Sequence, residues 1–187
     1  MPNQDNQLPA RPIENSFPLP TGIGFAGQYP RDLEERTSRK KIAAILDAGV
    51  TVFIDLTEPG ESARGIPLAP YEHMLLEEAQ KRNVVVERLS HSVPDQKIPE
   101  TAARMRDVLD ALDNADRRGK RVYLHCWGGK GRTGTAVACH LIRRGYSAAD
   151  ALRIVQELAR TMPRGKGAIV PENAMQSDFV RKWRETD

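Results

Sequence analysis

Apolar positions along the chain follow two rhythms. From Val50 to Leu56 (Val-Thr-Val-Phe-Ile-Asp-Leu) they form a nearly continuous, β-branched run, which suits a strand buried in a parallel sheet. Val84 to Leu89 and Val122 to Leu124 read as two further strands. Between these runs the spacing becomes helical. Asp32 is placed to cap a helix reaching about Ala48, with Leu33, Ile42, Ile45 and Leu46 on its apolar side and Gly49 as its stop. Helices are also predicted over Tyr71 to Arg82, Glu100 to Arg118, Arg132 to Arg144, Ala148 to Arg160 behind the Ser147 cap, and Glu172 to Arg184. Strands alternating with helices predict an α/β fold whose parallel sheet is covered on both faces, with right-handed crossovers.

The connections are read from glycine and proline. Gly22 to Pro30 is a short extended piece ending in a turn, Thr57 to Pro70 a loop with three prolines and two glycines, Ser90 to Pro99 a loop with two prolines, and Met162 to Pro171 a basic loop containing glycine. Residues 1–20 are polar and proline-rich and are expected to form a flexible arm or a strap, leaving 21–187 as the domain. With 187 residues, 40% hydrophobic and 28% charged, the chain suits one globular domain. The net charge of +3 favours anionic substrates, but no clustered basic stripe marks a nucleic-acid partner. No secretory signal or membrane span is read. Two cysteines, Cys126 and Cys139, are too few for a disulfide framework, and a cytoplasmic, reducing location is expected.

The chemistry concentrates in Val122-Tyr-Leu-His-Cys-Trp-Gly-Gly-Lys-Gly-Arg-Thr-Gly-Thr135. A strand ends at His125-Cys126 and a helix opens after Arg132, so the residues between must reverse tightly, which glycines at 128, 129 and 131 permit. Such a turn directs backbone N–H groups inward at a helix N-terminus, where a tetrahedral dianion is held. The same field stabilises a thiolate at Cys126. Ligands of parallel sheets sit at the carboxyl ends of the strands, which is where Cys126 falls. Gly129-x-Gly131-x-x-Gly134 and Gly22-x-Gly24-x-x-Gly27 match the dinucleotide fingerprint formally, yet neither stands in the strand–turn–helix–strand context that it requires. A Walker loop is excluded because Lys130 is followed by Gly131. Cys126, Cys139 and His140 contain no closely spaced cysteine pair, so no metal or other cofactor is expected.

His125-Cys126, five residues, then Arg132-Thr133 resembles the signature of the cysteine-dependent protein tyrosine and dual-specificity phosphatases. The resemblance implies a central sheet of four or five strands flanked by helices. It implies that Cys126 attacks phosphorus, that Arg132 grips two phosphate oxygens, and that Thr133 hydrogen-bonds the sulfur and assists hydrolysis of the phosphoenzyme. His125 would shape the loop rather than act as a base, and Trp127, Gly128, Gly129, Lys130 and Gly131 would line the phosphate cradle.

Such an enzyme needs a general acid on a mobile loop. Asp95 is the candidate, because Val93-Pro94-Asp95 resembles the Trp-Pro-Asp loop of classical tyrosine phosphatases with valine in place of tryptophan. Asp55, also near a strand end, is the rival. Gln176 resembles the late-helix glutamine that positions the hydrolytic water in some members, against the plain reading of a solvent-facing helix glutamine. His73, His91 and His140 read as surface or core, and Cys139 as a small apolar residue of the helix, with a resolving-thiol role as the alternative. Trp127 could pack on a substrate ring, and Lys130 adds charge against a further phosphate. Phosphoinositide phosphatases of the family share Gly-Lys-Gly-Arg-Thr-Gly but carry a second lysine where this chain has Trp127. A phosphorylated protein is therefore the first expectation for a substrate, with phosphoinositides or inositol polyphosphates second and a phosphate-recognition module without turnover third.

Overall fold

The computed structural model describes residues 10–185. Its main sheet comprises β1 (Ser16–Pro18), β2 (Gly24–Gly27), β3 (Val50–Asp55), β6 (Glu87–Ser90) and β7 (Arg121–His125), in the spatial order β1-β2-β7-β3-β6. β1 runs antiparallel to β2, and the other pairings are parallel. A small antiparallel hairpin, β4 (Ser62–Ala63) and β5 (Ile66–Pro67), stands apart from it. The helices are α1 (Glu35–Asp47), α2 (Glu72–Lys81), α3 (Ala102–Arg117), α4 (Gly131–Arg143), α5 (Ala148–Arg160) and α6 (Ala174–Lys182). The expected α/β architecture of five mostly parallel strands flanked by helices is present.

Alternation along the strands explains the two layers, since successive side chains of a strand point to opposite faces. Val52, Ile54, Val122, Leu124 and Ala26 pack with apolar residues of α3, α4, α5 and α6 on one side. Phe53, Tyr123 and Phe25 pack with α1 and α2 on the other, joined by Val50, which the irregularity between Val50 and Val52 turns to this face. The parallel register sets Gly27 and Asp55 each opposite His125, so three strands end together where the signature loop begins.

Four expectations are corrected. Residues 1–9 lie outside the described residues, but part of the expected arm belongs to the fold: β1 pairs with β2, and Phe17 is wholly buried in the core. The domain therefore starts before residue 21. Asp32 does not cap α1, because its carboxylate takes the Leu33 N–H and Lys41 instead, and the helix opens at Glu35. Leu33 is consequently 77% exposed rather than part of the apolar side. Val84 to Val86 are not strand. Asn83 adopts φ 52° and Val84 N–H returns to the Ala79 carbonyl, so the end of α2 occupies residues that the β-branched run suggested for pairing, and Val85 stays 85% exposed. α6 covers 174–182 rather than 172–184, because Asn173 accepts the Gln176 N–H as its cap.

If β1 is integral to the core, Phe17→Ala should lower unfolding stability by roughly 3–5 kcal/mol. Urea denaturation checks this, and a loss below about 1 kcal/mol would mark the segment as accessory.

Candidate active site

The loop between β7 and α4 is built by close backbone approach. Gly129 has φ 74°, and a Cβ there would stand 2.4 Å from the Gly27 carbonyl carbon, so this position tolerates only glycine. Tyr29 N–H donates to the Trp127 carbonyl at 2.9 Å, tying the loop to the segment after β2. Lys130 precedes α4 without a side-chain cap, leaving the first helical N–H groups as donors of the kind an oxyanion satisfies. Thr133 Oγ1 donates to Cys126 Sγ at 3.1 Å, and both residues are buried.

Arg132 is almost fully buried and is the best-connected side chain of the site. Its fork meets Glu61 in bidentate fashion, Nη1 to Oε2 at 2.6 Å and Nη2 to Oε1 at 2.7 Å. Nη1 also donates to the Val93 carbonyl at 2.9 Å, and Nη2 to Asp95 Oδ1 at 2.9 Å. Burial alone would lower the Arg132 pKa, but Glu61, Cys126 and Asp95 together raise it above its ordinary value. The structure thus brings Asp95 to Arg132, with its carboxyl 44% exposed on the loop after β6.

Beneath the loop lies a buried polar floor. His125 Nε2 and Tyr71 Oη share a 2.8 Å hydrogen bond, and His125 Nδ1 stands 3.8 Å from Asp55 Oδ1. Asp55 accepts from Thr57 N–H at 2.8 Å, from Thr57 Oγ1 at 2.7 Å and from Arg88 Nη2 at 2.7 Å. Burial pushes the Asp55 pKa up, yet His125, Thr57 and Arg88 outweigh it and hold it below the usual carboxylate value. As a wholly buried, fully bonded carboxylate, Asp55 has no proton to offer a leaving group. His125 is held below the usual histidine pKa by burial, against the pull of Asp55.

Gln176 faces the site rather than solvent. Its Oε1 accepts the Glu172 N–H at 3.0 Å, and its Nε2 donates to the Lys97 carbonyl at 3.1 Å. Asn173 Nδ2 donates to the Gln96 carbonyl at 2.9 Å. Two amides at the start of α6 therefore clip the Asp95 loop. Lys130, expected to add free charge, instead pairs with Glu172 at 2.9 Å. Gly128 and Gly131 are buried in the loop, and a Cβ on Gly131 would stand 2.7 Å from Glu172 Oε2. His140 packs on Asp113 at 3.1 Å and His73 is exposed. Cys139 is buried, its thiol pKa pushed up by burial, which leaves a resolving role without an exposed thiol. Sequence reasoning missed Glu61, Tyr71 and Arg88. Each acts across 33 or more residues of chain, and no local pattern marks such pairings.

A family model described as "Swiss Army Knife protein, DSP-PTPase phosphatase domain" (PTP-SAK) matches residues 32–177. The chain belongs to this family. Among solved structures, it is similar to kinase associated phosphatase (KAP) carrying serine in place of its catalytic-site cysteine, at 18% identity and TM-score 0.65 over 92% of this chain and 93% of that one. It is also similar to the active form of Tk-PTP, at 25% identity and TM-score 0.62 over 86% and 90%. The core catalytic domain of the PP-IP phosphatase SIW14 from S. cerevisiae matches at 14% identity and TM-score 0.62 over 89% and 83%. The DSP-PTPase phosphatase assignment therefore rests on the family match, and the sequences of KAP and SIW14 are distant enough that they share the fold alone. Among the described residues no helix is long and apolar enough to cross a membrane.

His125, His140 and His91 all have depressed pKa values, with burial as the first cause in each. Below the ordinary histidine pKa of 6.5 the unfolded chain binds protons that the folded chain refuses, so stability is full above pH 6.5 and falls as pH drops below it. Melting temperature should decline between pH 6.5 and the folded-state values, and a flat profile from about pH 6.5 to 5 would contradict this assignment.

Proposed function

We propose that the chain hydrolyses phosphomonoesters through a cysteinyl-phosphate intermediate, with phosphotyrosine in proteins as its first substrate class. In this reading the Cys126 thiolate attacks phosphorus and a P–S bond forms as the P–O bond to the leaving group breaks, with Asp95 giving its proton to the departing oxygen. Water then attacks the phosphocysteine and returns a proton to Asp95. Thr133 hydrogen-bonds the sulfur as it leaves, and the α4 N-terminus with Arg132 holds the equatorial oxygens. Gln176 serves by clipping the Asp95 loop.

The single observation that carries the reading is the 3.1 Å Thr133–Cys126 contact beside an Arg132 that touches Asp95. Nη1 is filled by Glu61 and Val93, so a phosphate gripped in bidentate fashion would use Nε and Nη2. Asp95 must then release Nη2, which frees its carboxyl to reach the leaving oxygen. Substrate binding and acid positioning are thereby one exchange.

Phosphoprotein is favoured over an inositol polyphosphate because the only lysine of the loop is neutralised by Glu172 and the residue after the nucleophile is Trp127 rather than a cation. A cytoplasmic setting suits two free thiols.

Phosphate release from p-nitrophenyl phosphate by wild type, abolished in Cys126→Ser, tests the thiol mechanism; a wild type that binds phosphopeptides but releases no phosphate would favour a recognition module. Asp95→Ala should slow alkyl phosphates by about 10²–10⁴-fold and activated aryl phosphates far less, and equal losses for both would remove it as the acid. Arg132→Lys keeps the charge but not the fork, so kcat/KM should fall at least ~10²-fold, and near-normal turnover would sink the bidentate argument.

A further inference from the structure

The signature loop carries two cationic side chains, Lys130 and Arg132, and each already has a carboxylate before any substrate arrives. Arg132 meets Glu61 and Asp95, and Lys130 meets Glu172 at 2.9 Å. Three carboxylates therefore face two cations at the cradle, although the chain as a whole carries a charge of +3. A single phosphate is still provided for, by the α4 N–H groups and by the arm of Arg132 that Asp95 gives up. A second phosphate beside the first would find the lysine of the loop taken, with the Glu172 carboxylate next to it.

The backbone around Glu172 delivers that carboxylate to α4. Glu172 comes one residue before Asn173, the cap of α6, so it is not part of the first turn of its own helix. Val170 N–H donates to Gln156 Oε1 at 2.9 Å, and Glu172 N–H donates to Oε1 of the wholly buried Gln176 at 3.0 Å. Val170 also lies so close to α4 that a Cβ on Gly134 would stand 2.7 Å from its Cγ1. Pinned in this way, the segment sets Glu172 Oε2 2.7 Å from where a Cβ of Gly131 would be, against the first residue of α4. The field of a helix start favours a carboxylate there and disfavours an ammonium. Lys130, the residue just before α4, is thus a cation in the wrong place until an anion joins it. With its two side chains 21% and 37% exposed, the pair contributes little to stability. Its effect falls instead on which anions the cradle admits.

We propose that Glu172 determines specificity at the cradle as a filter against polyphosphorylated substrates. By holding Lys130 and by placing its own charge beside the α4 N-terminus, it admits an isolated phosphomonoester such as phosphotyrosine. Substrates that crowd further phosphates around the first, inositol polyphosphates among them, are disfavoured. This inference deepens the phosphotyrosine hydrolase reading of the Cys126 site and rests on it. Glu172 acts through Lys130 and through its field, not on the reacting atoms. Neutralising it frees an ammonium two positions before Arg132, where a second phosphate can use it.

The test measures inositol hexakisphosphate and inorganic phosphate as competitive inhibitors of p-nitrophenyl phosphate turnover. It uses wild type, Glu172→Gln, Lys130→Met and the double variant, and wild type is also given inositol hexakisphosphate and a phosphotyrosine peptide as substrates. The readout is the preference for inositol hexakisphosphate over phosphate, taken as the ratio of the two inhibition constants within one protein, so a loss of overall activity in a variant does not obscure it. Glu172→Gln should raise that preference about tenfold. The double variant should return close to wild type and Lys130→Met should fall below it, so that the order follows the local charge. Raising salt from about 0.05 to about 0.5 M should shrink the differences, which a merely structural role for the pair would not do. A preference unaltered or lowered in Glu172→Gln would overturn the filter while leaving the Cys126 reading intact. A double variant as high as Glu172→Gln would overturn the part assigned to Lys130. Wild type turning over inositol hexakisphosphate faster than the phosphotyrosine peptide would overturn the exclusion of polyphosphates. No turnover of p-nitrophenyl phosphate by wild type would instead remove the hydrolase reading, and the filter with it.

Discussion

A guanidinium taken out of water needs acceptors on every side, and Arg132 draws them from two separate loops, the β3–β4 connection and the segment after β6. The Leu56 carbonyl at 3.4 Å comes from the end of β3, Glu61 from the base of the hairpin, and the Val93 carbonyl with Asp95 from the segment after β6. Each of these segments is irregular and could otherwise wander. Desolvating the cation is costly unless its partners hold their geometry, so the same side chain that is suited to phosphate also assembles the rim around it. The preference of Arg over Lys follows from this as well, since an ammonium offers three donors without a planar fork.

Below that rim the construction is stiffer. The His125–Tyr71 bond and the Asp55–Thr57–Arg88 cluster are buried, and Arg88 lies 5.5 Å from the Tyr71 ring centroid as well as on Asp55. Glycine-on-backbone contact between Gly129 and Gly27 leaves the signature loop no room to shift toward β2. The Asp95 loop, by contrast, keeps exposure and replaceable contacts. A rigid bed with one adjustable edge is what an enzyme requires if its acid must change partners during the reaction.

The legible part of this chain was the part written in local spacing. The seven positions from Cys126 to Arg132 announce a turn because glycine, strand and helix signals fall within one short window. Asp95 stands out as a candidate through a proline-flanked acid after a predicted strand and through the likeness of Val-Pro-Asp to Trp-Pro-Asp, and the structure sets it against Arg132. Glu61 was hidden in a loop whose prolines and glycines speak only of turns, and its partner lies 71 residues on. Tyr71 looked like the first residue of a helix and is a buried phenol, its pKa raised well above the usual value by burial. β1 escaped notice because an edge strand of three residues among prolines carries no periodicity to read. Lys130 was identified as a loop cation, but its neutralisation by Glu172 depends on where α6 returns. The misread segment at Val84–Val86 shows propensity losing to a helix end, where the backbone of Asn83 and Val84 was already committed.

The clip on the Asp95 loop acts through main-chain groups. Asn173 and Gln176 hold Gln96 and Lys97 by their carbonyl oxygens, groups that every residue type possesses. The side chains at 96 and 97 are therefore not what keeps the loop in register. Position 97 can therefore change what the loop presents to an approaching substrate without moving Asp95, whereas position 96, at φ 58°, is restricted to residues that accept the left-handed region.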